Sequence, residues 1–324
     1  KSFIPLANAC TSLNDVGVYA IHQPRGGRKF TSALLGAAEK LSFIIKNYGT
    51  NTQNSVSVSY TINGGLTRTA TLTDVITSND TSIIRFTVNE NLNATGNYNV
   101  VAWTNLPADN NSRNDTLYYK IKHLQNAPLT LPFSESFENV NTQLSEATFG
   151  IVGNDYIDYN PEYGGRIRTN LGDLYANTGK RALTVDNFLG GVSAKKNEIL
   201  LTYNLSNYID SLVFLDFSFI NHSEADSNDL IYALGDDTKP WVRIYDLYAN
   251  RNTPGKYNNV KEINLYQKLK IEQNQDFSSS TQLKIEQSGL RSVNNPFTDG
   301  GYSFDDLKLY NAGRDVAIID ATLK

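Results

Sequence analysis

The chain has 324 residues, of which 40% are hydrophobic and 19% charged, and its formal net charge is −4 at pH 7. This composition is typical of a folded globular protein, and the length allows two domains that each bury a core. The negative charge argues against a general nucleic-acid-binding protein. No apolar run approaches the roughly 20 residues that span a bilayer, so no membrane insertion is predicted.

Sulfur-containing residues are nearly absent, because the sequence has no methionine and one cysteine. Since position 1 is not methionine, we expect a mature product or an excised fragment. The single cysteine, Cys10, excludes an internal disulfide, so stability is expected from core packing and from metal. Residues 7–10 resemble a lipoprotein cleavage site, but Pro5 interrupts the apolar stretch before them, and a linker cysteine is the favoured interpretation.

Two similar segments lie 300 residues apart, Asp15–Val18 and Asp315–Ile318, and each follows a Ser-Phe pair, Ser2-Phe3 and Ser303-Phe304. Internal repetition of this kind indicates an array of folded units. We therefore predict one repeat of a longer array. Residues 1–14 would end the preceding unit, and residues 313–324 would begin the next.

Residues 15–125 alternate between apolar and polar side chains, as β-strands do. The predicted strands include residues 41–45, 56–62, 66–72, 84–88, 98–103 and 116–121. Asn63-Gly64-Gly65 is a hairpin turn signal, because these residues tolerate positive φ. About seven short strands predict an immunoglobulin-like sandwich.

The spacing of Leu92, Gly96, Tyr98 and Val100 is typical of the tyrosine corner of such sandwiches. The alternative is a tyrosine that begins a strand by chance.

Residues 126–132 contain two prolines and are predicted to form a stiff interdomain linker. In residues 133–312 the alternation predicts strands at 181–186, 198–204, 211–221, 230–234, 242–247, 261–265, 282–286 and 302–310. Eight or more strands with long polar loops favour a jelly-roll β-sandwich. The fold class is therefore all-β. Helical periodicity is limited to residues 32–40, where at most a short turn is expected.

Several motifs in both halves are similar to those of a known family. The motifs in the first half are Asp15–Val18, Asn47–Thr50, Val56–Gly65, Gly96–Tyr98 and Asn114–Thr116. Those in the second half are Phe133–Glu138, Gly179–Leu183, Asp229–Tyr232 and Gly301–Leu307. On these motifs the first half resembles the CARDB-type, immunoglobulin-like repeat of giant Bacteroidetes surface adhesins, and the second resembles the jelly roll of MAM-like and cleaved-adhesin domains.

The resemblance implies a protein secreted by the type 9 system that forms cell-surface filaments, gliding-motility adhesins or protease-associated adhesins. The chain departs from the family in two respects. The tryptophans that often follow the opening glutamate are missing, and no type 9 sorting domain is visible.

Carboxylates near both ends of the second domain suggest a structural calcium ion. The first and last strands of a jelly roll lie close together, so Glu138 and Asp305 are predicted to share one cation, with Glu135 and Asp306 as additional or substitute ligands. Calcium accepts six to eight oxygens in flexible geometry. The MAM-like resemblance also implies calcium at such positions. In the alternative, Glu138 faces solvent and Asp305-Asp306 merely ends an edge strand. Sequence does not distinguish Asp305 from Asp306, because a one-residue slip exchanges their faces.

Catalytic patterns are weak. The acidic segment 224–229 lacks the glycine and glutamate of an EF-hand and only loosely resembles a glycosidase strand, so a solvated loop is favoured over metal binding or catalysis. The three histidines, His22, His123 and His222, lie in unrelated contexts, and no nucleophile elbow is present. We therefore predict that the chain is not an enzyme.

Aromatic clusters suggest carbohydrate binding, because flat rings stack on sugars. Tyr156, Tyr159 and Tyr163 form one cluster, and Trp241 lies near Tyr245 and Tyr248 in another. The favoured alternative is packing, with Trp241 pointing inward.

Two Asp-Ser/Thr-apolar tripeptides resemble O-glycosylation acceptors of Bacteroidetes envelope proteins, with Thr116 and Ser211 as the acceptors.

The sequence thus predicts a non-enzymatic repeat unit of a secreted bacterial adhesin, on a filament attached to the outer membrane. The unit would contact neighbouring repeats of its own chain and polysaccharide or a solid surface. The alternative is a carbohydrate-binding module of a secreted polysaccharide-active protein.

Overall fold

The computed structural model describes residues 12–24, 30–31, 35–124, 127–138, 157–161, 165–169, 172–187, 195–223, 225–289 and 300–312. The chain divides into two compact units, Lys1–Gln125 and Asn126–Lys324. Each unit has its own apolar core, and nearly all regular structure is β, which confirms the predicted fold class. Within these ranges, no helix is long and apolar enough to cross a membrane.

The first unit is a sandwich of a three-stranded sheet, β1-β3-β6, and a five-stranded sheet, β2-β8-β7-β4-β5. The strands are β1 Val16–Gln23, β2 Phe30–Thr31, β3 Ser42–Asn47, β4 Val56–Ile62, β5 Arg68–Leu72, β6 Thr81–Arg85, β7 Gly96–Asn105 and β8 Thr116–His123. Inward residues of both sheets meet in the core, where the rings of Tyr60 and Phe86 pack edge to face at 4.6 Å. β6 begins and ends earlier than predicted, and Phe86, which follows it, is 4% exposed in this core.

The tyrosine corner is present. The Tyr98 hydroxyl donates a hydrogen bond to the Ala94 carbonyl at 2.7 Å. Leu92 and Val100, on either side of it in sequence, are each 1% exposed. The prediction is therefore confirmed, and the hydroxyl holds the loop against the strand it precedes.

The motif residues of the first unit converge around Asp15. The backbone amides of Tyr48 and Gly49 donate to the Asp15 carbonyl, and the Asn114 amide donates to its carboxylate at 2.7 Å. A Cβ on Gly17 would lie 2.3 Å from the Asn114 carbonyl oxygen, so this close approach requires glycine. The recurring motifs thus have a structural role, which is to join β1 to the loops beside it.

The second unit is a sandwich of a five-stranded sheet, β10-β13-β18-β15-β16, and a six-stranded sheet, β11-β12-β19-β14-β17 with β9 beside β19. The strands are β9 Phe133–Glu135, β10 Ile157–Pro161, β11 Gly165–Arg168, β12 Leu183–Asn187, β13 Lys195–Tyr203, β14 Val213–Asn221, β15 Leu230–Leu234, β16 Val242–Asp246, β17 Tyr257–Asn264, β18 Thr281–Gly289 and β19 Tyr302–Asn311. Short 3₁₀ helices span Asp173–Tyr175 and Ser206–Tyr208.

A helical segment was not expected from the sequence. Residues 265–273 are helical, with a π-helical part at Gln267–Ile271, where the predicted strand 261–265 ends. Leu265 and Leu269 are 1% and 0% exposed. Residues four apart lie on one helical face, so a helix buries both leucines against the core.

The predicted linker is partly bound to the second unit. The backbone amide of Leu129 donates to the Asn204 carbonyl at 2.8 Å, and that of Leu131 donates to the Tyr208 hydroxyl at 2.9 Å. Both leucine side chains pack against the second core. This part of the linker is thus anchored by hydrogen bonds and apolar contact.

A fully buried ion pair joins two neighbouring strands of the second unit. Arg168 Nη2, on β11, is 2.8 Å from Asp186 Oδ2, on the neighbouring strand β12. Their side chains are 1% and 0% exposed, so neither charge reaches solvent. Because a buried charge is costly without its partner, each of these residues requires the other.

Candidate functional site

Polar side chains cover the outer face of the five-stranded sheet of the second unit. Leu283 and Ile285 of β18 point into the core, so the alternating residues Gln282, Lys284 and Glu286 lie on the opposite face. Gln282 and Glu286 are only 5% and 7% exposed. This face is therefore a packed layer of polar groups instead of an ordinary solvated surface.

Two aromatic rings lie close to the ammonium group of a lysine on this face. Lys284 Nζ lies 4.6 Å from the centre of the Tyr232 ring and 4.8 Å from that of the Trp241 ring. The same ammonium group donates to Glu286 Oε1 at 2.5 Å. These cation–π contacts and the ion pair hold both rings in place.

Further charged and amide groups continue the layer. Lys196 Nζ lies 3.0 Å from Glu286 Oε1 and 3.2 Å from Glu198 Oε1, and Gln282 Nε2 donates to Thr202 Oγ1 at 3.1 Å. Burial and the Glu286 carboxylate raise the pKa of Tyr232, so its hydroxyl remains protonated at neutral pH. Aromatic faces beside hydrogen-bonding groups match the two surfaces of a sugar ring, its C–H face and its hydroxyls.

The structure gives mixed outcomes for the predicted aromatic residues. Trp241 is half-buried on the outer face and is not among the core residues described, so the inward interpretation is wrong. Tyr245 instead packs edge to face on Phe217, inside the sandwich. Tyr156 and Tyr163 lie outside the described residues, and only the backbone of Tyr159, paired with that of Ile199, is described.

Sequence reasoning missed Tyr232 and Lys284. Tyr232 lies within an apolar run and looks like a core residue, whereas Lys284 alternates with Leu283 and Ile285. That alternation was the available signal for an outward face. Their proximity to Trp241 depends on the order β18-β15-β16 in the sheet, which short-range patterns do not specify.

Two predicted calcium ligands hold one short segment, residues 177–181. Glu138 Oε1 accepts hydrogen bonds from the backbone amides of Lys180 and Arg181 at 2.7 and 2.6 Å. Asp305 Oδ2 accepts from the amides of Asn177 and Thr178 at 2.8 and 3.0 Å. The start and the end of the second unit are thereby joined through this segment, as expected for the ends of a jelly roll.

A β-bulge lies at Asp305 and Asp306. The register of β14 against β19 shifts at this point, and Asp306 has a φ of 50°. Asp305 binds the backbone of the 177–181 segment, while Asp306 accepts from Asn177 Nδ2 at 2.7 Å and from Thr178 Oγ1 at 2.5 Å. The extra residue thus directs both carboxylates to the same segment.

The remaining carboxylate, Glu135, accepts the amide of Phe137 at 2.6 Å, within its own turn. Among the residues that the structure describes, no three side chains of His, Cys, Asp or Glu converge as a metal centre. A cation here would therefore use two carboxylates, Glu138 and Asp305, with carbonyl or other oxygens completing its shell.

The charge on Asp305 is poorly compensated. Its side chain is 0% exposed. Burial raises the pKa of its carboxyl to about 6, and the Asp306 carboxylate adds to the rise against the backbone amides that lower it. Over the described ranges, no lysine or arginine forms an ion pair with Asp305, Asp306 or Glu138. Uncompensated carboxylates of this kind fit a divalent cation in charge and donor type.

The acidic segment 224–229 is only partly a solvated loop. Asp229 is 0% exposed, and its carboxylate accepts the amides of Asp226 and Ser288, both at 2.7 Å. Burial raises the pKa of Asp229 to about 7. The prediction of a solvated loop is therefore wrong for Asp229, which closes the loop from inside.

The histidines lie in separate structural settings. His222 Nε2 is 2.8 Å from Ser303 Oγ, a pair that sequence did not bring together. Both side chains are 0% exposed, and Ser303 Oγ also contacts Thr184 Oγ1 at 2.7 Å. A buried hydroxyl in such a network gives a substrate no approach, so the pair has the geometry of a structural hydrogen bond.

The predicted glycosylation acceptors are both described. Thr116 is half-buried at the start of β8, opposite Trp103. Ser211 is half-buried, and its amide donates to the Tyr208 carbonyl in a turn before β14. Glycosylation at these two residues stays a prediction, which intact-mass measurement of the protein from its native source would test.

No protein-family model matches the chain, and no curated protein matches it. Solved structures similar to it include the CARDB domain of a Pyrococcus furiosus protein in complex with di-metal ions (17% identity, TM-score 0.29, covering 38% of this chain and 100% of that one). A putative cell surface protein domain from Methanosarcina acetivorans is 17% identical with a TM-score of 0.27, over 35% of this chain and 94% of that one. The C-terminal family 22 carbohydrate binding module of Clostridium thermocellum Xyn10B is 11% identical with a TM-score of 0.32, over 56% and 94%. At these identities and scores, the likeness is one of β-sandwich architecture alone.

Proposed function

We propose that the chain is a non-catalytic surface module whose second unit binds polysaccharide through the outer face of its five-stranded sheet. The observation that carries this proposal is the placement of the centres of the Tyr232 and Trp241 rings at 4.6 and 4.8 Å from Lys284 Nζ. One sugar ring would stack on an aromatic face, and its hydroxyls would bond to the charged and amide groups nearby. The packing of these groups before binding reduces the entropy lost when a ligand is ordered.

The test is retention of the full chain on gels containing single polysaccharides, such as xylan, mannan and β-glucan. We expect retention on at least one of them, weakened about thirtyfold or more in Trp241→Ala, since a central aromatic contact is commonly worth ~2 kcal/mol or more. Tyr232→Ala is expected to act in the same direction.

The sequence offers a matched control. Trp103, the other tryptophan, lies in the first unit, so Trp103→Ala is expected to leave retention unchanged. Equal weakening by both tryptophan variants, or no retention on any polysaccharide, would count against the proposed face.

We further propose that this module belongs to a secreted adhesin that forms a surface filament, with neighbouring repeats of the same chain as partners. Type 9 secretion and gliding motility are part of this proposal. Its support is the family resemblance and the repeated Asp-Val segment. Sequencing the parent gene tests it, since the absence of further units of this kind would remove the basis for the filament.

A structural calcium ion in the second unit is also proposed, with Glu138 and Asp305 as its carboxylate ligands. The supporting observation is the buried and uncompensated charge of Asp305 beside Asp306. Calcium would supply positive charge there and link both ends of the unit.

We expect millimolar calcium to raise the melting temperature at neutral pH, since a ligand at a hundred times its Kd adds ~2.7 kcal/mol. Chelator would reverse the shift. Glu138→Gln and Asp305→Asn are expected to abolish it, and Glu262→Gln, an exposed carboxylate on β17, to retain it. An unchanged melting temperature for the wild-type chain would show that the 177–181 segment is held by hydrogen bonds alone.

A further inference from the structure

A polar cleft lies on the other sheet of the second unit. It has a volume of about 420 Å³ and is lined from β9, β14, β17, β19 and Asn177. Alternation places Ser218 of β14 and Asn259 of β17 on the outer side of the six-stranded sheet, because their neighbours Phe217 and Val260 are in the core. The cleft and the Trp241 face therefore belong to opposite sheets of one sandwich. Its volume falls within the ~300–1000 Å³ of small-molecule sites.

Contacts with neighbouring residues orient several side chains of this cleft. Ser218 Oγ donates to Asn259 Oδ1 at 2.7 Å, which orients the amide of Asn259. Lys261 Nζ lies 3.4 Å from Asp216 Oδ2, and Lys308 Nζ lies 5.2 Å from the centre of the Tyr310 ring. These positions exist without a ligand, so little ordering is required on binding.

The chemistry of the lining restricts the ligand. Every lining side chain carries a group capable of hydrogen bonding: three serines, two asparagines, two lysines, one glutamate and one aspartate line the cleft. The lining carries two lysines, Lys261 and Lys308, and two carboxylates, Glu135 and Asp306, so its formal charges favour neither an anion nor a cation. An apolar ligand would leave these groups unpaired, which is costly. A compact, neutral and densely hydroxylated molecule satisfies them.

We propose that this cleft is a second saccharide-binding site, specific for neutral sugar units, so that one second unit holds two polysaccharide segments on opposite sheets. This goes beyond the site at Trp241 and does not depend on it. Two sites on one module link separate chains, or raise the avidity for one chain that reaches both.

Isothermal titration calorimetry of the full chain with neutral hexasaccharides, xylohexaose, mannohexaose and cellohexaose, tests the proposal. We expect two binding events for the wild-type chain. Trp241→Ala should remove the binding event at the Trp241 face. Asn259→Ala should weaken the binding event at the cleft at least about tenfold. Ser134→Tyr should block the cleft sterically at its exposed rim. Asn311→Ala, an exposed asparagine at the end of β19, is the matched control and should retain both.

The possible outcomes separate the two sites. A single event that Trp241→Ala abolishes, and that Asn259→Ala and Ser134→Tyr leave unchanged, would overturn the cleft and leave the proposed function standing. An event that survives Trp241→Ala and disappears in the two cleft variants would establish the cleft by itself. Tighter binding of hexagalacturonate at the cleft than of any neutral sugar would overturn the assigned ligand class. The absence of any binding would overturn both sites.

Discussion

Replacing Asp186 with alanine is expected to lower the free energy of unfolding of the second unit by about 3–5 kcal/mol, because the buried guanidinium of Arg168 loses the Asp186 carboxylate. The two side chains are 1% and 0% exposed, so water cannot replace the lost carboxylate without rearrangement of the sandwich. Denaturant titration of the full chain measures the loss as a lower midpoint for the second unit.

Two variants isolate the cause. A double change, Arg168→Met with Asp186→Leu, removes both charges and is expected to regain most of the stability, since apolar groups of similar volume often match a buried ion pair. Glu272→Ala removes the exposed pair with Lys268 and is expected to cost less than about 0.5 kcal/mol. A similar cost for Glu272→Ala and Asp186→Ala would contradict the importance of burial.

The Asp305 carboxyl is expected to make the second unit less stable as the pH rises. Its pKa is about 6 in the folded chain and 3.8 in the reference state. Between these values the folded chain keeps a proton that the unfolded chain has released, so the free energy of unfolding falls as pH rises through this window. The total change is on the order of 3 kcal/mol, and it is complete above the folded pKa.

The measurement is denaturant titration from about pH 4 to about pH 7 in chelator, on the wild-type chain and Asp305→Asn. Asp229 and Asp115, whose pKa values are raised to about 7 and about 6, change stability in the same direction, so the difference between the two chains is the quantity to read. Asp305→Asn should reduce the change in the free energy of unfolding between these pH values by on the order of 3 kcal/mol. Parallel curves would mean that Asp305 titrates near its ordinary value.

Local patterns predicted much of the fold, because alternation and turn residues report on contacts near in sequence. The strand Leu230–Leu234 and the tyrosine corner at Tyr98 were predicted on this basis. The helical segment around Leu269 was missed, because its two core leucines also suit a strand end. Gln267–Ile271 is helical, and its conformation is set by tertiary packing and not by intrinsic helix propensity.

The candidate sites were less predictable, because they depend on register and strand order. Sequence placed Glu138 near Asp305 through the closeness of first and last strands. The β-bulge at Asp306 adds one residue to β19, and the alternation of apolar and polar residues in the sequence does not predict it. Lys284 and Trp241 are 43 positions apart in sequence. They come into contact because the strand order β18-β15-β16 leaves only one strand between β18 and β16.

The distribution of tryptophans has a practical consequence. The chain has two, Trp103 on β7 of the first unit and Trp241 beside β16 of the second. Tryptophan fluorescence is therefore a separate optical reporter for each unit, once the tryptophan of the other unit is replaced by phenylalanine. A Trp241→Phe chain would report on the first unit alone, and a Trp103→Phe chain would report on the outer face of the five-stranded sheet of the second unit, in pulling as well as in denaturant experiments.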